Sequence, residues 1–299
     1  VEVDRITDIF PYRMPMDVYP VDADYTDRFE DYDEDQGIVI GWEKVRTETD
    51  WVTGDSVDIA YSGQAETNTG TTTGTGGSMA RFTIVDPYLY ALSGGDMQLF
   101  NIETADNPVV YSKVSIDWDI ETIFPYKDKL FIGSMTGMFI FDNSNPGNPQ
   151  KIIEFEHATS CDPVVATDDY AYVTLRAGTM CGGGLDQLDI IDISGIDADP
   201  PEITLVESYG MQGPYGLAVD NTSTPGTVLL FICDGIAGLK LYDATDPENL
   251  GSPVSHVSGI ETFDIILVPS SKRAVVVGPD GLYQYSYADP ANLTRLSFI

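Results

Sequence analysis

The stretch Lys129–Pro149, KLFIGSMTGMFIFDNSNPGNP, limits most tightly what this chain can become. It holds an apolar strand, a Gly-centred turn, a second apolar strand and an Asx-Pro exit. The same order of features returns through the rest of the chain. The unit around it predicts four short strands, ETIFPYK, KLFIGS, MFIFDN and QKIIEFE, with turns at Asp128, Thr136-Gly137 and Pro146–Pro149. Aligning the third strand of each unit brings Phe100, Phe141, Ile191, Tyr242 and Tyr285 into register, at steps of 41, 50, 51 and 43 residues. The exits recur as Asp106-Asn107-Pro108, Asn145-Pro146, Asp246-Pro247 and Asp289-Pro290. Such pairs suit a strand end, because Asx opens a turn and Pro cannot continue a hydrogen-bonded ladder.

A repeat of about 40–50 residues with four strands per unit predicts an all-β fold, a β-propeller of four-stranded blades. One such sheet cannot bury both faces, whereas sheets stacked around an axis cover one another. The aromatic residues of FIFD and KLYD are therefore expected in the cores between blades. Residues 80–299 divide into five blades, at 80–116, 117–157, 158–211, 212–260 and 261–299. Residues 1–79 are read as the outer strand of a preceding blade followed by a long insertion. VEVDRI alternates like a strand, and TDIFPY echoes ETIFPY of Glu121–Tyr126. Asp22–Asp35 is acidic and poor in apolar residues, Gly37–Val45 reads as a short strand, and Gln64–Gly77 as a flexible Gly/Thr-rich surface loop.

The 299 residues carry 48 Asp+Glu against 15 Lys+Arg, a formal net charge of −33. That charge repels phosphates, so nucleic acid and anionic lipid surfaces are excluded as partners. It suits a solvated acidic shell or carboxylates that collect cations. No run of 18 apolar residues occurs, so no transmembrane helix is expected. Of the three cysteines, Cys233 lies in the apolar strand LLFICDG and reads as a small buried hydrophobe. Cys161 and Cys181 should lie at the same end of the third blade, where a disulfide would staple the Gly-rich loop AGTMCGGGLDQ. A thiolate metal pair or a nucleophile is the poorer reading, because His157 is the only histidine nearby.

Strand a of a propeller blade lines the central channel, and ligands bind at its mouth. Alignment of the units puts Ala80, Glu121, Asp162, Tyr215 and Asp264 there. Trp118 and Asp119 precede Glu121, and Arg176 ends a second strand on the same side. Trp118, Asp119, Glu121, Asp162, Arg176, Tyr215 and Asp264 thus form a candidate ligand surface for a carbohydrate or peptide. Glu121, Asp162 and Asp264 are hard oxygen donors that suit Ca²⁺, although no cofactor is required. The competing reading is an ordinary polar, water-filled mouth. Catalytic residues are not identified: P-loop, HExxH and GxSxG patterns are missing in convincing context, and two histidines leave little room for a His-based triad or zinc site. Acidic pairs such as Asp117/Asp119 carry little information in so acidic a chain. Asp31–Asp35 lacks the Gly and terminal Glu of an EF-hand loop.

LFIGSMTGMFIFDNSNPGNP resembles the LVIVD repeat of bacterial secreted or surface β-propellers. WDIETIFPYKDKLFIGS, HATSCDPVVATDDYAYVTLRAG, GPYGLAVD, DGIAGLKLYDATDPEN and GPDGLYQYSYADPANL are similar to a group of outer-membrane-associated lipoproteins of the Bacteroidota. The resemblance covers about residues 78–299. It implies six or seven blades in the full-length protein, a lipid anchor upstream of Val1, an extracellular or outer-membrane location, and no assigned activity.

Three functions follow as expectations. The first is a non-enzymatic surface module that binds an envelope or surface protein, or a carbohydrate or peptide. The second is a Ca²⁺-dependent hydrolase or lyase at the channel mouth. The third is a scaffold whose 22–77 insertion contacts the partner.

Overall fold

The computed structural model describes residues 77–117, 120–156, 163–178 and 185–299. The chain divides into two units, Val1–Thr71 and Thr72–Ile299, and all described residues belong to the second. They form five four-stranded antiparallel sheets, each a meander of four consecutive strands. Blade 1 contains β1 (Phe82–Val85), β2 (Tyr88–Ser93), β3 (Asp96–Asn101) and β4 (Val109–Ser115). Blade 2 contains β5 (Ile120–Tyr126), β6 (Lys129–Ser134), β7 (Gly137–Asp142) and β8 (Gln150–Glu156). Blade 3 contains β9 (Val164–Ala166), β10 (Tyr170–Leu175), β11 (Gln187–Asp192) and β12 (Thr204–Gly210). Blade 4 contains β13 (Leu217–Asp220), β14 (Leu229–Cys233), β15 (Leu239–Asp243) and β16 (Ser255–Val257). Blade 5 contains β17 (Asp264–Val268), β18 (Arg273–Gly278), β19 (Gly281–Ser286) and β20 (Thr294–Phe298). The fold is the all-β propeller that the repeat predicts.

The repeated phrase has a distinct physical task at each point. Its aligned third-strand residue marks a bulge: the pairing of strands c and d shifts at Phe100, Phe141, Ile191 and Tyr285. A bulge adds local twist, which turns the outer strand away from its neighbour. Strand c then ends on an Asx side chain that accepts the N–H two residues on. Asn101 takes Glu103 at 2.8 Å, Asp142 takes Ser144 at 2.8 Å, Asp192 takes Ser194 at 2.8 Å and Asp243 takes Thr245 at 3.0 Å. The prolines of the exits also join neighbouring blades. Tyr90 of blade 1 donates to the Pro146 carbonyl at 2.7 Å, and Tyr209 of blade 3 donates to that of Pro247 at 2.9 Å. Two glycines before or at the start of strand c are obligatory. Gly238 (φ +88°) and Gly281 (φ +138°) would place a Cβ 2.1 Å from the Val257 carbonyl and 2.2 Å from that of Ile299.

Four apolar cores lie between successive blades. Val85, Tyr90 and Leu99 of blade 1 meet Ile123, Ile132, Phe139 and Phe141 of blade 2. Phe131, Met138 and Ile140 pack on Val164, Val173 and Ile191. Tyr172 and Ile190 pack on Leu217, Ile232 and Tyr242. Phe231, Leu239 and Leu241 pack on Ile265, Val276 and Tyr285. The aromatics of FIFD and KLYD are thus core residues. Cys233 is wholly buried and free.

The two end blades differ from those between them. Strand pairing makes Phe82, Ile123, Val164, Leu217 and Ile265 equivalent, and from Ile123 on each faces the preceding blade. The last four are at most 1% exposed, whereas Phe82 is 60% exposed. On blade 5, Val268, Val277 and Leu282 of the opposite face are likewise exposed.

Candidate functional site

The connections from strand d to the next strand a, and the b–c turns, share one end of the sheets, because the strands of each meander alternate in direction. The predicted ligand residues belong to this end. Pairing on strand b fixes their depth. Leu92 donates to the Arg81 carbonyl, Thr174 to that of Pro163 and Cys233 to that of Gly216, and Asp264 pairs with Val277. Among the described residues the outermost positions are therefore Ala80, Glu121, Tyr215 and Phe263. Arg81, Thr122, Pro163, Gly216 and Asp264 lie one residue further in. The expected ring is thus corrected at its fifth position: Phe263, not Asp264, matches Tyr215. Its N–H donates to Val277 as that of Tyr215 does to Cys233, each at 2.7 Å.

This register brings Arg176, Tyr215 and Phe263 into one row. The Arg176 guanidinium carbon lies 4.1 Å from the centre of the Tyr215 ring, and that ring lies 5.1 Å from Phe263. A guanidinium at this distance is attracted to the ring face, and the tilted aromatic pair adds a favourable quadrupole contact. All three side chains are half-buried, so each presents part of its surface to solvent.

The row rests on a rigid base. The Thr174 hydroxyl donates to the Tyr215 carbonyl at 2.6 Å. Asp234, wholly buried at the end of strand b, accepts the N–H groups of Gln212 and Gly213 at 2.9 Å each. Its other oxygen pairs with Lys240. The turn that follows needs Gly235 (φ +55°), whose Cβ would come 2.8 Å from the Gly213 carbonyl and 3.4 Å from the Tyr215 ring. At the tip of that turn Ile236 is 78% exposed. Asp234, Lys240, Phe263 and Ile236 did not stand out in the sequence; the DG dipeptide at Asp234 was the available signal for the turn.

Asp264 faces inward, not into the mouth. Its carboxylate lies between Gly77 and Gly216, where a Cβ on either would come within 2.1 Å of a carboxylate oxygen. The Ser78 hydroxyl and the N–H groups of Met79 and Ile265 hydrogen-bond it, but burial dominates and pushes its pKa up to about 6. Its Oδ1 is buried, while the residue as a whole is half-buried. Glu121 sits at a bulge of β5, between Ile120 and Thr122. Among the described residues no three His, Cys, Asp or Glu side chains gather as a metal site would need. Trp118, Asp119, Asp162, Cys161 and Cys181 lie outside the described residues, and with them the predicted disulfide and one carboxylate of the proposed Ca²⁺ set.

No family model matches the chain, and no curated protein matches it either. Solved structures do. A protein from Lactobacillus plantarum aligns with TM-score 0.54 and 13% identity, over 71% of this chain and 67% of its own. A chain of the Mitotic Checkpoint Complex aligns with TM-score 0.52 and 15% identity, over 71% of this chain and 63% of its own. The WD40 domain of SCAP from fission yeast aligns with TM-score 0.46 and 13% identity, over 71% and 49%. This chain thus spans about two thirds or less of each matched chain. At such identities the likeness concerns the fold alone.

Proposed function

We propose that this chain is a protein-interaction module whose contact surface is the d–a and b–c end of the propeller, centred on Arg176, Tyr215, Phe263 and Ile236. The row of cation and aromatics carries this reading. Arg and Tyr favour interfaces because each combines a large contact area with directional polar groups. Here they stand just beyond strand ends and on a braced turn, so little conformational entropy remains to be lost on binding. The structural likeness to a chain of the Mitotic Checkpoint Complex is consistent with assembly through a propeller surface. The net charge of −33 favours a partner with a basic face.

The resemblance to outer-membrane-associated lipoproteins supports an envelope or surface protein as that partner, with lipid anchoring and a surface location. The same module serves without an enzymatic step; no catalytic constellation is part of the proposal. Among the described residues no helix is long and apolar enough to cross a membrane.

Crosslinking pull-down from native envelope extract tests this, with wild-type protein beside Tyr215→Ala combined with Ile236→Asp, and beside Lys272→Glu in the a–b turn of blade 5 at the opposite end. The expected result is loss of specific partners with the double variant alone. Equal capture by all three proteins overturns the assignment of the surface.

A further inference from the structure

Four residues ahead of β1 run across the inner strands of three blades. Gly77 and Ser78 are buried, although the composition of Gln64–Gly77 suggests a surface loop to its end. The Ser78 hydroxyl oxygen accepts the Leu217 N–H of blade 4 at 2.7 Å. Its hydroxyl and the Met79 N–H reach Asp264 of blade 5. The Ala80 N–H donates to the Gly77 carbonyl at 3.0 Å, closing a turn, and the Ala80 carbonyl accepts the Ile123 N–H of blade 2 at 2.9 Å. The segment is a strap tying blades 2, 4 and 5 near their inner edges.

Its contact with Asp264 is unbalanced. Two glycine backbones press on the carboxylate, and Oδ1 is buried without a hydrogen-bond partner among the described residues. Nearby, the Asp264 charge and the Thr262 hydroxyl both act on the buried Cys233 thiol. An ionised carboxylate with one unsatisfied oxygen is costly to enclose; the neutral acid is much less so. If the strap lifts, water reaches the group and the penalty disappears. Proton uptake and strap closure therefore favour each other, as linkage requires.

We propose that the Gly77–Ala80 strap is a proton-linked latch: acid closes it more firmly over Asp264, and alkali loosens its tie between the inner strands. The groups around Asp264 leave it as the site of the proton. Gly77, Ser78, Met79 and Ala80 bring no titratable side chain, and neither does Gly216 of blade 4. From β14 comes Cys233, whose thiol burial pushes far up, and beyond it lies Asp234, held by Lys240. The direction follows from the sign of the shift. With its carboxyl raised to about 6, the closed state gains stability that is fully present below the ordinary carboxylate pKa and is lost as pH rises through about 6.

Backbone hydrogen exchange of Ala80 in the full chain, corrected for the intrinsic pH dependence of exchange, tests the latch. Raising the Asp264 carboxyl from its ordinary value to about 6 corresponds to a loss of protection of up to about a hundredfold between about pH 4 and about pH 8. Asp264→Asn should hold protection flat over the same range. Wild-type protection that does not change with pH, or an equal slope in Asp264→Asn, overturns the proposal. Should that variant fail to fold, a ¹³C titration of the Asp264 carboxyl in the wild type decides. A midpoint near 6 supports the latch; one near the ordinary value of about 4 overturns it.

Discussion

The Tyr287 phenol donates to Oδ2 of Asp220 at 2.9 Å, fastening the end of strand c in blade 5 to the inner strand of blade 4. Both residues are buried. Oδ1 of the same carboxylate accepts the N–H groups of Thr222 at 3.0 Å and Ser223 at 2.9 Å. Burial opposes the charge, yet the bonds from Ser223, Thr222 and Tyr287 together hold Asp220 below its ordinary pKa. Tyr287→Phe removes one bond to a charged acceptor and should cost about 1.5–3 kcal/mol in urea unfolding at neutral pH. The depressed carboxyl stabilises the fold above the ordinary carboxylate pKa, and that contribution fades as pH falls through the lower folded value. The difference between wild type and Tyr287→Phe should therefore shrink as pH falls below the ordinary carboxylate value. A gap that stays constant into strong acid would show that the phenol acts by packing alone.

Phe82 and Ile265 occupy the same place in blades 1 and 5, yet one is 60% exposed and the other 1%. Ile265→Ala opens a cavity in the core between blades 4 and 5 and should cost about 2–5 kcal/mol. Phe82→Ala removes a mostly solvated ring and should cost less than about 1 kcal/mol, since surface substitutions cluster within half of that. Denaturant midpoints of the two variants check this. A large loss at Phe82 would mean that another surface covers it in solution, and sedimentation of that variant would show whether a second copy supplies the cover.

The blade was legible because its pattern is dense. Phe100, Phe141, Ile191 and Tyr285 could be aligned from strand alternation and turn spacing, and the structure puts a bulge at each. Of the mouth positions that are described, Ala80, Glu121 and Tyr215 lie where alignment of the units put them, and Asp264 lies one residue deeper. Aligning the units by sequence sets Asp264 level with Glu121 and Asp162. Its depth is set by backbone pairing, which places Phe263 there instead. The strap was hidden for a related reason. Gly77 and Ser78 end a Gly/Thr-rich stretch, and composition cannot distinguish a glycine needed for freedom from one needed for close approach. Only the contact with Asp264 separates the two. The Asp234–Lys240 pair was lost among 48 acidic residues.

Gly238 closes the b–c turn of blade 4 at φ +88°, and its Cβ would meet the Val257 carbonyl at 2.1 Å. Gly238→Ala therefore combines left-handed strain with a backbone clash, and the loss should exceed the roughly 1 kcal/mol of strain alone. Gly178, which has open space around the Cβ position and no positive φ, is the control: Gly178→Ala should leave the thermal midpoint unchanged or slightly raised. Equal behaviour of the two variants would remove the packing argument for the turn.

Lys240 links the stability of blade 4 to the proposed contact surface. Its ammonium pairs with the buried Asp234, which also holds the Gln212 and Gly213 N–H groups, three and two residues before Tyr215. Lys240→Met keeps the aliphatic stem but leaves a buried carboxylate without its cation, a change that should cost about 3–5 kcal/mol. If the pair braces the loop, partner capture should weaken further than the loss of folded protein explains. Lys240→Met with Asp234→Asn removes both charges while keeping an acceptor for the two N–H groups, and should recover much of both losses. Recovery of stability without recovery of binding would show that the charge itself, rather than the position of Tyr215, is what the partner reads.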